Sequence, residues 1–186
     1  SPRKEGCTYT ALIQIAGVLE KNGIESEIFQ AGTPELENVR AAAEKMKEAD
    51  ALIVGSPVYW ASPSGQIIEF MDRLASVAGK DMLYKPAAAV ASARRAGTTA
   101  TLDVLTKYFS YHQMPVVSSC YWNMVHGNTP EEVMKDEEGV QIMRVLGKNM
   151  AWLLKCIEAG KKYFSVASGG GTGRTLHPDN MAAGPA

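Results

Sequence analysis

Ala51-Leu52-Ile53-Val54-Gly55 is an unbroken apolar run that ends in turn chemistry, Ser56-Pro57-Val58-Tyr59-Trp60-Ala61-Ser62-Pro63-Ser64-Gly65. A strand with one wet face alternates apolar and polar residues, so a continuous run marks a parallel strand covered on both faces. Such a strand needs a helix on each side of it in the sequence. Downstream, Ile67, Phe70, Met71, Leu74 and Val77 recur at helical spacing. Upstream, Thr33-Pro34 reads as a cap with proline at the first helical position, and Leu36, Val39, Ala43 and Met46 trace a stripe to about residue 48.

The alternation continues in both directions. Leu12, Ile15, Ala16 and Leu19 give a first helix over 9–21, stopped by Gly23. Ile24–Phe29 alternates and predicts a strand near a sheet edge. Pro86–Ser92 predicts a further strand, Leu102, Leu105 and Phe109 a helix, and Met114–Cys120 another strand. Thr129-Pro130-Glu131-Glu132 is a helix cap with acidic first-turn residues, after which Val140, Met143, Leu146, Met150, Leu153 and Ile157 mark a long last helix. Strands alternating with helices at this spacing make a three-layer α/β fold, doubly wound around a parallel sheet. Such a sheet normally opens with a buried central strand, whereas this sequence opens with loop residues and a helix, so the first strand is expected to be absent from it. Residues 1–163 are expected to form the domain. Residues 164–186, rich in Gly, Ala and Pro, read either as a tail or linker, or with Tyr163–Ala167 as an extra strand and Ser168–Thr175 as its turn in the vacant slot.

The 186 residues leave room for one ordinary domain, and 46% hydrophobic with 21% charged residues is the balance of a soluble globular chain. A net charge of −1 recommends neither nucleic acid nor anionic lipid as a partner. Cys7, Cys120 and Cys156 have no CxxC spacing and no His pair nearby, which argues against a disulfide framework, a zinc site or an iron–sulfur cluster. No metal is expected. With no signal peptide and no apolar run near the roughly 20 residues of a membrane span, the cytoplasm is the expected compartment.

Three loops carry chemistry-bearing residues to one sheet edge, and a fourth segment, after the strand expected at Met114–Cys120, adds to them. Ser1-Pro2-Arg3-Lys4-Glu5-Gly6-Cys7-Thr8 brings hydroxyls, Arg3 and free backbone N–H groups to the positive end of the first helix, a phosphate site in outline; an exposed basic N-terminus would look the same. Neither a P-loop nor a dinucleotide Gly-x-Gly-x-x-Gly pattern is present. The Gly55–Gly65 loop puts adjacent aromatics, Tyr59 and Trp60, where open α/β sheets bind ligands. They suit a flat aromatic ligand, or equally a cover for the sheet end or a partner subunit. Ser92-Ala93-Arg94-Arg95-Ala96-Gly97-Thr98-Thr99 adds donors and positive charge, and Trp122-Asn123-Met124-Val125-His126-Gly127 an aromatic, an amide and an imidazole. No Ser–His–Asp, Cys–His or paired-carboxylate pattern appears, so no catalytic side chain is singled out.

Through these loops, together with Ile68-Glu69-Phe70-Met71-Asp72-Arg73-Leu74, the chain resembles the flavodoxin-like NAD(P)H-dependent FMN reductase family, especially its iron–sulfur flavoprotein branch, from Ser1 to about Gly160. The resemblance implies Ser1, Arg3, Cys7 and Thr8 around the FMN phosphate, Pro57, Val58, Tyr59 and Trp60 along the isoalloxazine, and Ser92, Arg95 and Gly97 at its polar edge. The family's first strand and the Gly before Ser1 are not in the sequence. The branch's cysteine-rich insert is replaced by Ala31-Gly32-Thr33-Pro34, and the tail after Gly160 matches nothing in that family.

The activity implied is hydride transfer from NADPH or NADH to bound FMN, with electrons passed to a small-molecule acceptor such as a flavin, quinone or nitro compound. Two alternatives stand beside it: a non-enzymatic FMN-binding electron carrier, and a cofactor-free altered scaffold. Arg94-Arg95 and the near-neutral charge disfavour the carrier. Tyr108, Tyr111, Trp122 and Met124 either cover a partner subunit, making a homodimer, or complete the core.

Overall fold

The computed structural model describes residues 3–32 and 35–162. Its sheet is ordered around β3 (Ala87–Ala93), whose seven residues are all buried. Side chains alternate across a strand, and β3 uses both faces: Ala87, Ala89 and Ala91 enter one hydrophobic cluster, Ala88 and Val90 the other. β1 (Leu52–Tyr59) pairs in parallel with one side of β3, from Leu52↔Ala87 to Pro57↔Ser92. β4 (Met124–His126) pairs in parallel with the other, from Ala91↔Met124 to Ala93↔His126. The two-residue β2 (Ser62–Pro63) folds back on the end of β1, giving the order β2-β1-β3-β4.

Helices cover both faces. α2 (Leu36–Glu48), α3 (Gly65–Met82) and α4 (Thr98–Tyr111) supply Val39, Met46, Phe70, Met71, Leu105 and Phe109 to the first cluster. α1 (Cys7–Lys21), α5 (Pro130–Lys135) and α6 (Glu137–Gly160) supply Ala11, Ile15, Val133, Met143, Leu146 and Met150 to the second. The expected three-layer, mostly parallel α/β architecture is therefore present. The chain groups into two units, Ser1–Leu154 and Lys155–Ala186. Of the second unit, the described residues 155–162 hold the last turns of α6. The alternative strand at 163–167 with its turn at 168–175, residues 33–34 and Ser1 lie outside the described residues; the helix expected to start from a Thr33-Pro34 cap instead begins at Leu36, with Glu35 as its N-cap.

Several expectations are corrected. Ile24–Phe29 forms no ladder with any described strand. Alternating side chains place Ile24 against one cluster and Phe29 against the other, but pairing, not alternation, makes a strand. The strand expected at Met114–Cys120 is reduced to one bridge, Ala87↔Val116. Around it, Ala87 N–H donates to Pro115 O at 2.8 Å and Val117 N–H to Ala87 O at 2.8 Å. Residues 118–122 then leave the sheet, held outside by Ser119 Oγ donating to Ile142 O and Asn149 Nδ2 to Ser118 O. The chain rejoins at Asn123, whose amide donates to Ala89 O at 3.0 Å. A side chain thus satisfies a carbonyl that the interrupted ladder leaves open.

The run 51–55 is not the fully covered strand it resembles, since Leu52 and Ile53 are only half-buried. β1 also runs on through Ser56 to Tyr59, where a loop was expected. Two stripe residues point outward, Leu36 and Val77; Ala78 and Met82 continue the buried face of α3 instead.

Candidate functional site

Because β1, β3 and β4 are parallel, their carboxyl ends share one rim, the edge at which open α/β sheets bind ligands. α1 begins at the same rim. Its Cys7 Sγ lies 3.6 Å from Gly127 O, after β4, and its Thr8 hydroxyl lies 2.7 Å from that of Ser92, in β3. Gly6 caps α1 without a side-chain hydrogen bond, leaving first-turn N–H groups unpaired by the helix itself. With Arg3 exposed just ahead of them, these groups suit an anion.

The second loop is a strained hairpin. Val58↔Pro63 and Tyr59↔Ser62 pair across a two-residue turn, Trp60-Ala61, in which both residues have positive φ, 52° and 56°. This is the hairpin geometry usually filled by Asn-Gly, so holding Trp60 there costs backbone energy. The result is a Trp ring 102% exposed next to a Tyr59 ring 43% exposed. Beneath the hairpin, Ser56 Oγ donates to Pro57 O at 2.8 Å and accepts from Ser64 N at 3.1 Å, and Ser64 Oγ caps α3 by accepting from Ile67 N.

The third loop closes against the second. Gly97 has φ +102°, and a Cβ there would stand 2.6 Å from Ala61 Cα and 2.8 Å from Val58 Cγ1. Only glycine allows this approach. Arg94 and Arg95 are exposed, with no carboxylate paired to either among the described residues. At the end of β4, His126 N–H donates to Asp136 Oδ2 at 2.6 Å, and Gly139 N–H donates to Asp136 Oδ1 at 3.0 Å. The carboxylate therefore ties the rim to the start of α6.

The structure thus gathers Arg3, Cys7, Thr8, Pro57, Val58, Tyr59, Trp60, Ser92, Arg95 and Gly97 along one rim. They divide by exposure. Thr8 and Ser92 are each 3% exposed, and their hydroxyls bond to each other. Pro57 and Val58 are half-buried, while Tyr59, Trp60 and Arg95 are open to solvent. Ser56, Ser64 and Asp136 support the rim without having been singled out. Asp136 carried a legible signal, an acidic cap ahead of a helix; the serines carried none. Grooves of about 490 and 540 Å³ flank α1, and neither is lined by a residue of the β1, β3 or β4 loops. The rim is an open shelf.

Away from the rim, Tyr108 is partly buried. Its hydroxyl donates to Asp72 Oδ1, and burial first, then Asp72, pushes the phenol well above its ordinary range. Met124 accepts from Thr98 Oγ1, whereas Tyr111 and Trp122 are exposed.

An uncapped helix end beside Arg3, two exposed rings and a glycine-lined closure fit a flat, phosphate-bearing ligand such as FMN. Residues 1–129 match the family described as NADPH-dependent FMN reductase. An iron–sulfur flavoprotein of Methanocaldococcus jannaschii is 30% identical over 184 residues, covering 85% of this chain and 95% of that protein. Among solved structures, the flavodoxin, WrbA-like protein from Agrobacterium tumefaciens superposes with a TM-score of 0.60 at 19% identity, covering 80% of this chain and 92% of its own. A flavoenzyme NAD(P)H:(acceptor) oxidoreductase from Paracoccus denitrificans gives 0.65 at 14% identity, covering 84% and 93%. Residues 144–186 match a second family, described as GGGtGRT protein. The family match over residues 1–129, the 30% identical relative and the flavodoxin-like fold show that the chain belongs to the NADPH-dependent FMN reductase family, FMN-dependent oxidoreductases built on the flavodoxin-like fold.

Proposed function

We propose that this protein holds FMN on the rim, accepts hydride from NADPH or NADH, and passes the electrons to a small acceptor of the flavin, quinone or nitro type. The observation that carries the reading is the meeting of the α1 N-terminus, the Tyr59-Trp60 hairpin and the Arg94–Gly97 loop at one sheet edge. Bound there, FMN supplies the hydride and electron chemistry. The protein's residues bind and orient. First-turn N–H groups of α1 and the Arg3 guanidinium take the phosphate, with Ser1 and Cys7 beside it. Pro57, Val58, Tyr59 and Trp60 flank the ring, and Ser92, Arg95 and Gly97 border its polar edge. Arg94 and Arg95 are free to meet the phosphates of a nicotinamide nucleotide. Tyr111 and Trp122, exposed on the surface, are proposed to meet a second copy in a homodimer. A cytoplasmic setting fits these substrates; among the described residues no helix is long and apolar enough to cross a membrane.

The test is titration of FMN into the purified protein, followed by flavin fluorescence, with NADH and NADPH then added without oxygen. Quenching at one FMN per chain followed by rapid bleaching supports the reading and names the nucleotide. Binding without bleaching favours an electron carrier fed by another protein. Absence of binding overturns both.

A further inference from the structure

We propose that the outward face of α6 packs antiparallel against the same face of a second copy, with Glu137 of each chain opposite Lys148 of the other. The inference rests on the homodimer proposed above and gives it an interface and a register. α6 is held on two flanks. Toward α1, Arg144 Nε and Nη2 donate to Gln14 Oε1 at 3.3 and 3.0 Å, and Gly147 lets the helices touch, since a Cβ there would stand 2.9 Å from Val18 Cβ. On the other flank, Ile142 O and Asn149 Nδ2 hold residues 118–119, which lead to the exposed, edge-on pair Tyr121 and Trp122. At about 100° per residue, Glu137, Gln141, Arg144, Lys148 and Trp152 fall within about 80° of one another, on the face between those flanks. All are exposed, Trp152 at 68%.

The charges on this face are segregated along the helix. Glu137 and Glu138 sit in the first turn, where the helix dipole favours acids. The dipole gives no reason for Arg144 and Lys148 in the middle of a helix whose last turn has no basic residue. Among the described residues none of these side chains has an ion-pair partner. Arg144 is held by a neutral amide, so its charge stays open. Glu137 and Lys148 lie about 16 Å apart along the axis, too far to pair within one chain. A second copy related by a two-fold axis passing between Gln141 and Arg144 brings each Glu137 to the other copy's Lys148 and each Arg144 to the other copy's Gln141, so the face is complementary to itself. A uniformly acidic or basic partner would match only half of it. The same register carries Trp152 past the start of the other copy's α6, toward Met134, itself 42% exposed.

Sedimentation equilibrium tests this on wild type, Lys148→Glu, Glu137→Lys, the double variant and an equimolar mixture of the two singles, with circular dichroism checking the fold of each. Either single sets like charges opposite each other at both symmetry-related contacts and is expected to raise the dimer dissociation constant about tenfold or more. The double variant restores opposite charges and is expected to return to within about threefold of wild type. The mixture is expected to form heterodimers as tight, because a Lys148→Glu chain facing a Glu137→Lys chain again has opposite charges at both contacts, a rescue that no folding defect could produce. Singles that dimerise as wild type does, or a mixture no tighter than the singles alone, would overturn the register; a dimer then still lost in Trp122→Ala would leave the homodimer reading standing on another face. A wild type that stays monomeric at every concentration would overturn the homodimer reading, and this inference with it.

Discussion

Gly97→Ala is expected to destabilise the protein by about 1–5 kcal/mol, two costs less one return. Gly97 sits at φ +102°, where an L side chain costs about 1–2 kcal/mol. The new Cβ would also stand 2.6 Å from Ala61 Cα, 2.8 Å from Val58 Cγ1 and 3.1 Å from Ala61 Cβ. Carbon atoms prefer about 3.5–4.0 Å. The closest atom is backbone, so relief requires moving the hairpin, an overpacking cost of about 1–3 kcal/mol. Lower chain entropy in the unfolded state returns about 0.4–1 kcal/mol. For a chain of this size the net loss lowers the unfolding midpoint by roughly 2–20 °C. Urea unfolding followed by circular dichroism measures it, with an unchanged m-value showing that stability alone has altered. Gly17→Ala is the control: it is the same substitution inside α1, with nothing within 4 Å of the new Cβ. It is expected to stabilise by about 0.5–1 kcal/mol. If Gly97→Ala costs under about 0.5 kcal/mol, the ordinary range of a surface change, the close packing of the two loops is refuted. A destabilising Gly17→Ala would refute the reading of open space.

Trp60→Gly relieves a positive φ in the hairpin turn and is expected to stabilise by about 1 kcal/mol while weakening flavin or acceptor binding about tenfold, as loss of a stacked ring does; unchanged dissociation constants would remove Trp60 from the site. Asp136→Ala strips a partner from the N–H groups of His126 and Gly139 and is expected to cost about 1–3 kcal/mol, measured by thermal unfolding. Tyr108 is expected to add to the loss of stability at alkaline pH. Burial and Asp72 raise its folded pKa, so its contribution is complete below the unfolded value of about 10 and is lost as pH rises from there through the folded value. Urea midpoints of wild type are therefore expected to fall more steeply above about pH 10 than those of Tyr108→Phe, and parallel curves would show that the phenol has no part.

Much of the site was legible because its parts are local. A helix over 9–21, a strand ending at Gly55 and a strand ending at Ser92 place their loops on one edge once the sheet is parallel, and periodicity is enough to say that it is. Tyr59 and Trp60 stand out as adjacent aromatics in a loop, and Arg94-Arg95 as positive charge after the next strand. That the Thr8 and Ser92 hydroxyls share a hydrogen bond was not legible, since 84 residues separate them and no local pattern reports a partner at that distance. The break in the strand after Val117 was equally hidden. Val116 and Val117 have strand propensity, and only the ties from Ser119 and Asn149 to α6 show why the chain leaves the ladder.

By itself the sequence determined the layers, the parallel sense of the paired strands and the cap at Thr129, because side-chain periodicity and capping act within a few residues; it did not place the start of α2 after Glu35 or the break at Asp136 between α5 and α6. Tertiary structure decided the rest. It denied a ladder to Ile24–Phe29, whose alternation is that of a strand but which has no described neighbour to pair with. It turned Leu36 and Val77 outward, and it pressed Gly97 onto Ala61 so that the rim became one surface. Pairing and close packing depend on which distant segment arrives alongside, and that is a property of the folded chain alone.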